Sequence, residues 1–298
     1  MKNKKRILIL SGVAVAIVAV AVIWLINYTM VHRVIPLDEE HFPDEDFREY
    51  IGEFYDGEHD GVLTYEERKC VYKVNTSLFW DDEKSEMIRS GQMQANLKGI
   101  EYFPWLKELY ITYLDLKELD VSRYKELRTL DCRGNQLSKL DLSHNRALTM
   151  LYCHDNDLTE LDLSHNKDLF YLSCAINELT TLDLRWNTAL KYLECGANRL
   201  TALDLSRNEE LNWVCCWENQ LTVLDVSHNT ALTDIDCEGN ELTSLDVSNN
   251  PVLKRMDCSS NQISELDLTN TNMLGLCCDK GVNVIGAPER CTVSFAEE

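Results

Sequence analysis

Three residue types keep one beat along this chain. Cys recurs at positions 132, 153, 174, 195, 216, 237 and 258, and Asn at 135, 156, 177, 198, 219, 240 and 261. Asp recurs at 120, 141, 162, 183, 204, 225, 246 and 267. The shared period is 21 residues, as in the match of Leu127–Asn145 with Leu148–Asn166. Self-similarity at a fixed short period excludes an ordinary globular core. One turn of about twenty residues cannot bury its own leucines, so turns must stack and share a continuous apolar interior.

The pattern L-x-x-L-x-C-x-x-N-x-L-T-x-L-D-L-S-x-N is a leucine-rich repeat. The expected fold is a leucine-rich-repeat solenoid, an α/β-type superhelix made mostly of β structure. In Leu130-x-Cys132 the residues alternate inward and outward, as in a strand, so equivalent strands form one parallel sheet on the concave face. Short extended or 3₁₀ segments are expected on the convex face. The recurrent Asn amides suit buried backbone partners along the stack, and Asp and Ser suit local backbone N–H groups. The eight Asp therefore read as structural and not as a catalytic or metal array.

At the edges the pattern loosens. Leu106-x-x-Leu109-x-Ile111 fits with Ile in place of Cys and Leu114 in place of Asn. Leu97–Phe103 reads as an atypical first turn. Met273-x-x-Leu276-x-Cys278 comes one residue early, and Val282 to Phe295 are expected to be short strands closing the core. The organisation expected is a cytoplasmic tail (1–6), a transmembrane signal-anchor (7–26), a linker with a helical cap (27–95), a solenoid of about nine turns (96–280) and a C-terminal cap (281–298).

There are 12 Cys. Seven occupy inward ladder positions and Cys278 makes an eighth. On adjacent rungs the Cβ bonds run parallel about 4.8 Å apart, too far for a disulfide, so reduced thiols acting as small apolar groups are expected. Cys291 with Cys277 or Cys278 is the one candidate bridge. Cys215 is expected to face solvent on the sheet. No Cys spacing fits a zinc site.

Before the repeats, Asp56-Gly-Glu-His-Asp-Gly-Val-Leu-Thr-Tyr-Glu-Glu67 follows the EF-hand loop at every fixed position but one. Calcium is the candidate ligand. Asp56, Glu58, Asp60, Val62 through its carbonyl, Thr64 and Glu67 would supply oxygens, with Glu58 longer than the usual third ligand. Phe47, Ile51 and Phe54 mark one helical face, and Cys70, Val71 and Val74 another. An acidic turn that caps the solenoid without metal is the other reading. Residues 75–95 fit neither pattern.

Ile7 to Ile26 are 20 uncharged, mostly apolar positions behind Lys2, Lys4, Lys5 and Arg6. As a helix they span about 30 Å, enough to cross a bilayer with the cations inside. A cleaved secretory signal is the alternative, although the run is long and the segment behind it bulky. Either reading puts the remainder outside the cytoplasm, and the expected location is a bacterial cell membrane, single-pass, with the C-terminal part outside. The net charge is −21, which argues against a nucleic-acid binder because phosphate needs a basic face.

Together these residues resemble the internalin-like bacterial leucine-rich-repeat proteins, in the subtype with 21-residue, cysteine-bearing repeats. The resemblance covers about residues 42–295. It implies a surface protein that binds partners through its concave sheet, often in adhesion, with a small EF-hand-related cap where residues 42–74 lie. The chain departs from that family in showing no wall-sorting motif and no immunoglobulin-like segment after the repeats, and in carrying the N-terminal apolar run.

On the concave face the alternation places Tyr152, Tyr171, Tyr192, Trp213 and Trp217 in a patch, followed by acidic turns. Glu194, Asp234, Asp236 and Glu238 are the acidic candidates. Exposed aromatics mark interaction surfaces, and acids select basic partners. An extracellular protein or peptide is the expected partner. The alternatives are a glycan or cell-wall polymer stacked on the rings, or a calcium-stabilised spacer without ligand. His144, His165 and His228 share a rim position interrupted by Trp186, Arg207 and Asn249 and read as solvated side chains. No nucleophile–base pair or phosphate loop appears, so an enzyme is not expected.

Overall fold

The computed structural model describes residues 32–76 and 96–296. They form two compact units, one of residues 32–71 with 96–103 and one of residues 72–76 with 104–296. The expected transmembrane span lies outside the described residues. Among the described residues no helix is long and apolar enough to cross a membrane.

The smaller unit is built on two short helices and a two-stranded antiparallel ribbon. Strand β1 (Ile35–Pro36) pairs with β2 (Val62–Leu63). Helix α1 (Glu45–Tyr55) starts where Asp44 accepts the Phe47 N–H and buries Phe47 and Ile51. The ring of Phe47 meets Phe42 and Phe103 edge-on at centroid distances of 5.9 and 6.4 Å, which closes this small core. Helix α2 (Tyr65–Cys70) begins in a capping box between Thr64 and Glu67. Its Arg68 is buried, and the guanidinium is held by the Tyr102 and Arg33 carbonyls at 3.2 and 2.9 Å.

Two expectations change here. Residues 97–103, read as a first repeat turn, belong to the helical unit, with a 3₁₀ turn at Ile100–Tyr102. Val74, read with Cys70 and Val71 as a helical face, lies beyond the end of α2 in strand β3 (Lys73–Asn75), the first strand of the solenoid sheet.

The larger unit is a parallel solenoid of about nine turns. Its strands are β4 (Glu108–Tyr110), β5 (Thr129–Asp131), β6 (Met150–Tyr152), β7 (Tyr171–Ser173), β8 (Tyr192–Glu194), β9 (Trp213–Cys215), β10 (Asp234–Asp236) and β11 (Arg255–Asp257). Strands β13 (Gly275–Cys278) and β15 (Thr292–Phe295) extend them into an eleven-stranded sheet that begins at β3. Strand β12 (Glu265–Asp267) pairs separately with β14 (Asn283–Ile285). The middle residue of each repeat strand points inward and is buried, as Leu130, Leu151, Leu172 and Leu193 show.

The eight ladder cysteines are free and buried. Burial pushes their thiols up, Cys258 to about 12, so they stay protonated and pack as apolar groups. Cys291 forms no bridge and is also free. Its neighbour Thr292 pairs with Gly275, so Cys291 sits opposite the residue before Gly275, roughly 10 Å along the strand from Cys277.

Two asparagine columns run down the stack. In the first, Asn198 accepts the Leu179 N–H of the preceding turn at 3.0 Å and donates to the Cys174, Cys195 and Gly196 carbonyls, each at 3.1 Å. Asn135, Asn156, Asn177, Asn219, Asn240 and Asn261 repeat the arrangement. In the second column, Asn187 donates to the Leu163 and Asn166 carbonyls, while its own Oδ1 is buried without a partner. At each strand exit one residue is left-handed, with φ between +46° and +65° over Tyr113, Gly134, Asp155, Ile176, Ala197, Glu218, Gly239 and Ser260. Ile176 is β-branched and carries real strain there.

The aspartate column is local capping. Asp141, Asp162, Asp204, Asp225 and Asp246 each accept the N–H two residues on at 2.9 to 3.0 Å. Hydroxyl and backbone bonds from that residue hold these carboxyls below their ordinary value of 3.8. A depressed folded value contributes stability that is complete above the unfolded value and is lost as pH falls through the folded one. Urea midpoints should therefore begin to drop below about pH 4. An Asp162→Asn/Asp204→Asn variant should show a shallower acid limb, read by circular dichroism.

Candidate functional site

The EF-hand-like loop keeps the shape of its motif but spends its oxygens on itself. Asp56 is buried, and its two carboxylate oxygens accept the Asp60 and Gly61 N–H groups at 3.2 and 2.9 Å. Asp60 accepts the Val62 N–H. Glu67 spans the loop, taking the Gly57 N–H at 2.8 Å on one oxygen and the Thr64 N–H and hydroxyl at 2.9 and 2.8 Å on the other. Burial pushes the Glu67 carboxyl up, but the bonds from Thr64 and Gly57 outweigh it and hold the group below the ordinary glutamate range. Glu58 is exposed. Among the described residues no three Asp, Glu, His or Cys side chains gather into a group that could hold a metal. The twelfth-position glutamate here serves as the cap of helix α2, through the same oxygens that calcium would need. The melting temperature in millimolar excess of calcium over chelator decides between the ion and the metal-free cap: a rise marks an ion bound to the folded state, and an unchanged value removes the calcium reading.

The sheet face does assemble its expected residues. Parallel register stacks Met150, Tyr171, Tyr192, Trp213, Asp234, Arg255 and Gly275 in one outward column. A second column holds Asp131, Tyr152, Ser173, Glu194, Cys215, Asp236 and Asp257. Tyr152 leans across the columns onto Tyr171 at a ring distance of 4.7 Å, and Tyr171 meets Tyr192 at 5.9 Å. These rings are partly exposed, with Tyr192 at 39%. Partial burial raises the Tyr152 and Tyr171 hydroxyls above their ordinary range. Trp217, one residue past the ladder cysteine, lies over Gly196 of the preceding turn, where a Cβ would stand 2.4 Å from its indole Nε1. Tyr113 covers Gly134 in the same way.

Several outward residues are less exposed than the alternation implies. Cys215, expected in solvent, is buried at 5% exposure, with its Sγ 3.6 Å from Asp236. Asp131 is buried beneath a two-pronged pairing with Arg133, whose guanidinium lies over the Tyr152 ring. Ser173 is fully buried and bridges His154 and Glu194, at 2.8 and 2.7 Å. That order leaves the hydroxyl in the middle, donating to the carboxylate and shut off from solvent, so the trio is a strut and not a nucleophile with its base. The sequence signal for the Trp217 and Tyr113 contacts was the glycine, at Gly196 and Gly134, in slots where other turns carry side chains.

Trp213 borders two clefts. One, of about 360 Å³, is lined by Trp213, Asp234, Asp236, Arg255 and Asp257, with the apolar Ile235, Met256 and Leu276 and the small Gly275, Cys277, Thr292 and Ser294. The other, of about 600 Å³, adjoins Tyr192, Asn212 and Thr233. Arg255 is paired with Asp234. Asp236 and Asp257 stand directly opposite on neighbouring strands. Burial first and the Asp257 charge second push Asp236 above the ordinary aspartate value, and Glu238 is raised by the same two causes together with Asp236. Among the described residues no ion pair is formed by Asp236, Glu238 or Asp257, while Arg255 is taken up by Asp234.

No protein-family model matches the chain, and no curated protein matches it. Solved structures do. The functional domain of InlJ from Listeria monocytogenes, which includes a cysteine ladder, is 28% identical with a TM-score of 0.57 over 86% of this chain and 62% of that one. A leucine-rich-repeat protein from Leptospira interrogans is 25% identical, with a TM-score of 0.55 over 57% of this chain and 47% of the other. This chain thus spans less than two thirds of either. The internalin InlF from Listeria monocytogenes, 21% identical, shares the fold at a TM-score of 0.65 over 88% and 86%. The fold is that of an internalin-like leucine-rich-repeat solenoid.

Proposed function

We propose that this chain is a membrane-anchored extracellular binding protein that recognises a basic segment of a protein or peptide on the outward face of its sheet. The carrying observation is the cleft beside Trp213. An indole, an apolar lining of Ile235, Met256 and Leu276, and the opposed Asp236 and Asp257 make a socket suited to a lysine or arginine side chain. Such a chain would lay its stem against the indole and relieve the repulsion between the two carboxylates. Tyr152, Tyr171, Tyr192 and Trp217 extend the apolar contact, and Glu194 and Glu238 add to the field that steers a cationic partner. Membrane attachment rests on the apolar run of residues 7–26, and the resemblance of the repeats to internalin-like surface proteins supports an exposed location.

The test is binding of the purified chain to arrays of basic and acidic peptides and of neutral glycans, with wild type set against Trp213→Ala/Trp217→Ala and Asp236→Asn/Asp257→Asn. Retention of basic peptides, weakening with salt and falling about thirty-fold in either double variant, is the expected result. Equal binding by all three proteins, or retention of neutral glycans alone, would remove the reading.

A further inference from the structure

The solenoid carries a second surface, away from its sheet, at the turn that follows each Leu-Asp-Leu stretch. Six of these turns, counting those with Val in the last apolar slot, place Ser before the variable rim residue, at Ser122, Ser143, Ser164, Ser206, Ser227 and Ser248. The turn at Asp183 breaks the rule at both exposed positions together, with Arg185 in the serine slot and Trp186 in a slot that elsewhere holds His, Arg or Asn. The buried positions of the same turn keep the pattern: Leu182, Leu184 and Asn187 are buried, and Asp183 still accepts the Arg185 N–H at 3.1 Å. Scaffold needs therefore do not explain the tryptophan, which is 49% exposed.

Trp186 stands between two clefts of opposite character: one of about 560 Å³ carries Lys139 with Asp141, Glu160, Asp162 and Asp183, and the other runs against the acidity of the chain. Lys167 Nζ lies 5.2 Å from the ring centroid. A cleft of about 430 Å³ is lined by Lys167, Arg185, Trp186, Thr188 and Arg207, with no carboxylate among them. Asp183 steadies the Arg185 guanidinium from outside that lining, at 2.9 Å. The preceding turns continue the theme in a cleft of about 560 Å³, lined by Lys125, Arg146, His144, His165 and Ser143 and again free of carboxylates. Lys125, Arg146 and Lys167 occupy one repeat position on three successive turns. Cations recur once per turn, at about the ~4.8 Å step of stacked strands, and lead to a single bare indole.

We infer that this rim binds a linear anionic polysaccharide, with one sugar ring stacked on Trp186 and its acid groups on Lys167, Arg207 and the cations of the preceding turns. An evenly spaced row of cations matches a polymer with evenly spaced charges, and a lone exposed ring offers the flat apolar contact that a sugar face takes. Neither element belongs to the sheet face, so the inference stands apart from the proposed function.

Arg185→Ser/Trp186→His gives this turn the residues its neighbours carry and keeps the fold. The purified full chain would be passed over immobilised polygalacturonate, heparin, neutral dextran and polyphosphate. Retention on polygalacturonate or heparin, reduced at least about tenfold by Arg185→Ser/Trp186→His and unchanged by Trp213→Ala/Trp217→Ala, is expected. The stronger of those two columns identifies carboxylate or sulfate as the anion. The inference fails if neither anionic glycan retains the chain, if the rim variant binds as well as wild type, or if polyphosphate or dextran is held as tightly as the glycans.

Discussion

Asn198→Ala is expected to cost about 4 kcal/mol of stability, more than removal of its counterpart in the other column, Asn187. The reason lies in what each amide leaves behind. Losing Asn198 strips the Leu179 N–H of its acceptor and takes a donor from the Cys174, Cys195 and Gly196 carbonyls. The Cys174 and Cys195 carbonyls keep bonds from Asn177 and Asn219, but the Leu179 N–H is left buried and alone. An orphaned buried donor costs about 1–3 kcal/mol and each lost bond about 1 more. Asn187→Ala removes two bonds, leaves the Leu163 carbonyl with the Asn166 N–H, and also removes an amide oxygen that has no partner. Its cost should be about half as large. Urea unfolding of the two variants side by side measures the difference. Equal losses would mean that the amides act by volume and not by the groups they satisfy.

The second large effect is expected at Gly196. A methyl group there would stand 2.4 to 2.6 Å from three atoms of the Trp217 indole, so the ring must lift off the preceding turn. Overpacking of this kind costs about 1–3 kcal/mol. Gly196→Ala should redden tryptophan emission, lower the urea midpoint and weaken basic-peptide binding together. Trp217→Ala removes the object of the clash, so Gly196→Ala should cost little in that background. A double-mutant cycle with a coupling energy near zero would show that the indole does not rest on this glycine.

Periodicity made the solenoid legible because each stacking position recurs seven or eight times, and a one-residue error would misplace all of them. The inward leucines, the thiol ladder and the aromatic columns follow from that register alone. What the repeat could not disclose was contact between unlike positions. Tyr152 leans across two columns, Ser173 vanishes beneath its neighbours, and Cys215 is shielded although its strand position points outward. Side-chain length decides such burial, and alternation carries no information about length. The first strand was missed because Lys73–Asn75 lacks the leucine spacing and joins the sheet only through pairing with β4. The EF-hand-like loop is ambiguous for a different reason. A motif records residue types at intervals, whereas Glu67 can serve either an ion or the Thr64 backbone, and here the capping bonds take both of its oxygens.

The asparagine columns bind each coil to its immediate neighbours and to nothing farther away. Leu163 and Leu184 hold the same phase, so deleting the 21 residues between Ser164 and Leu184 would rejoin the chain with every rung still opposite its equivalent. Duplication of such a cassette would be accommodated just as readily. The length of the binding wall is thus open to change by whole-unit gain or loss in the gene, leaving the chemistry of each remaining rung untouched.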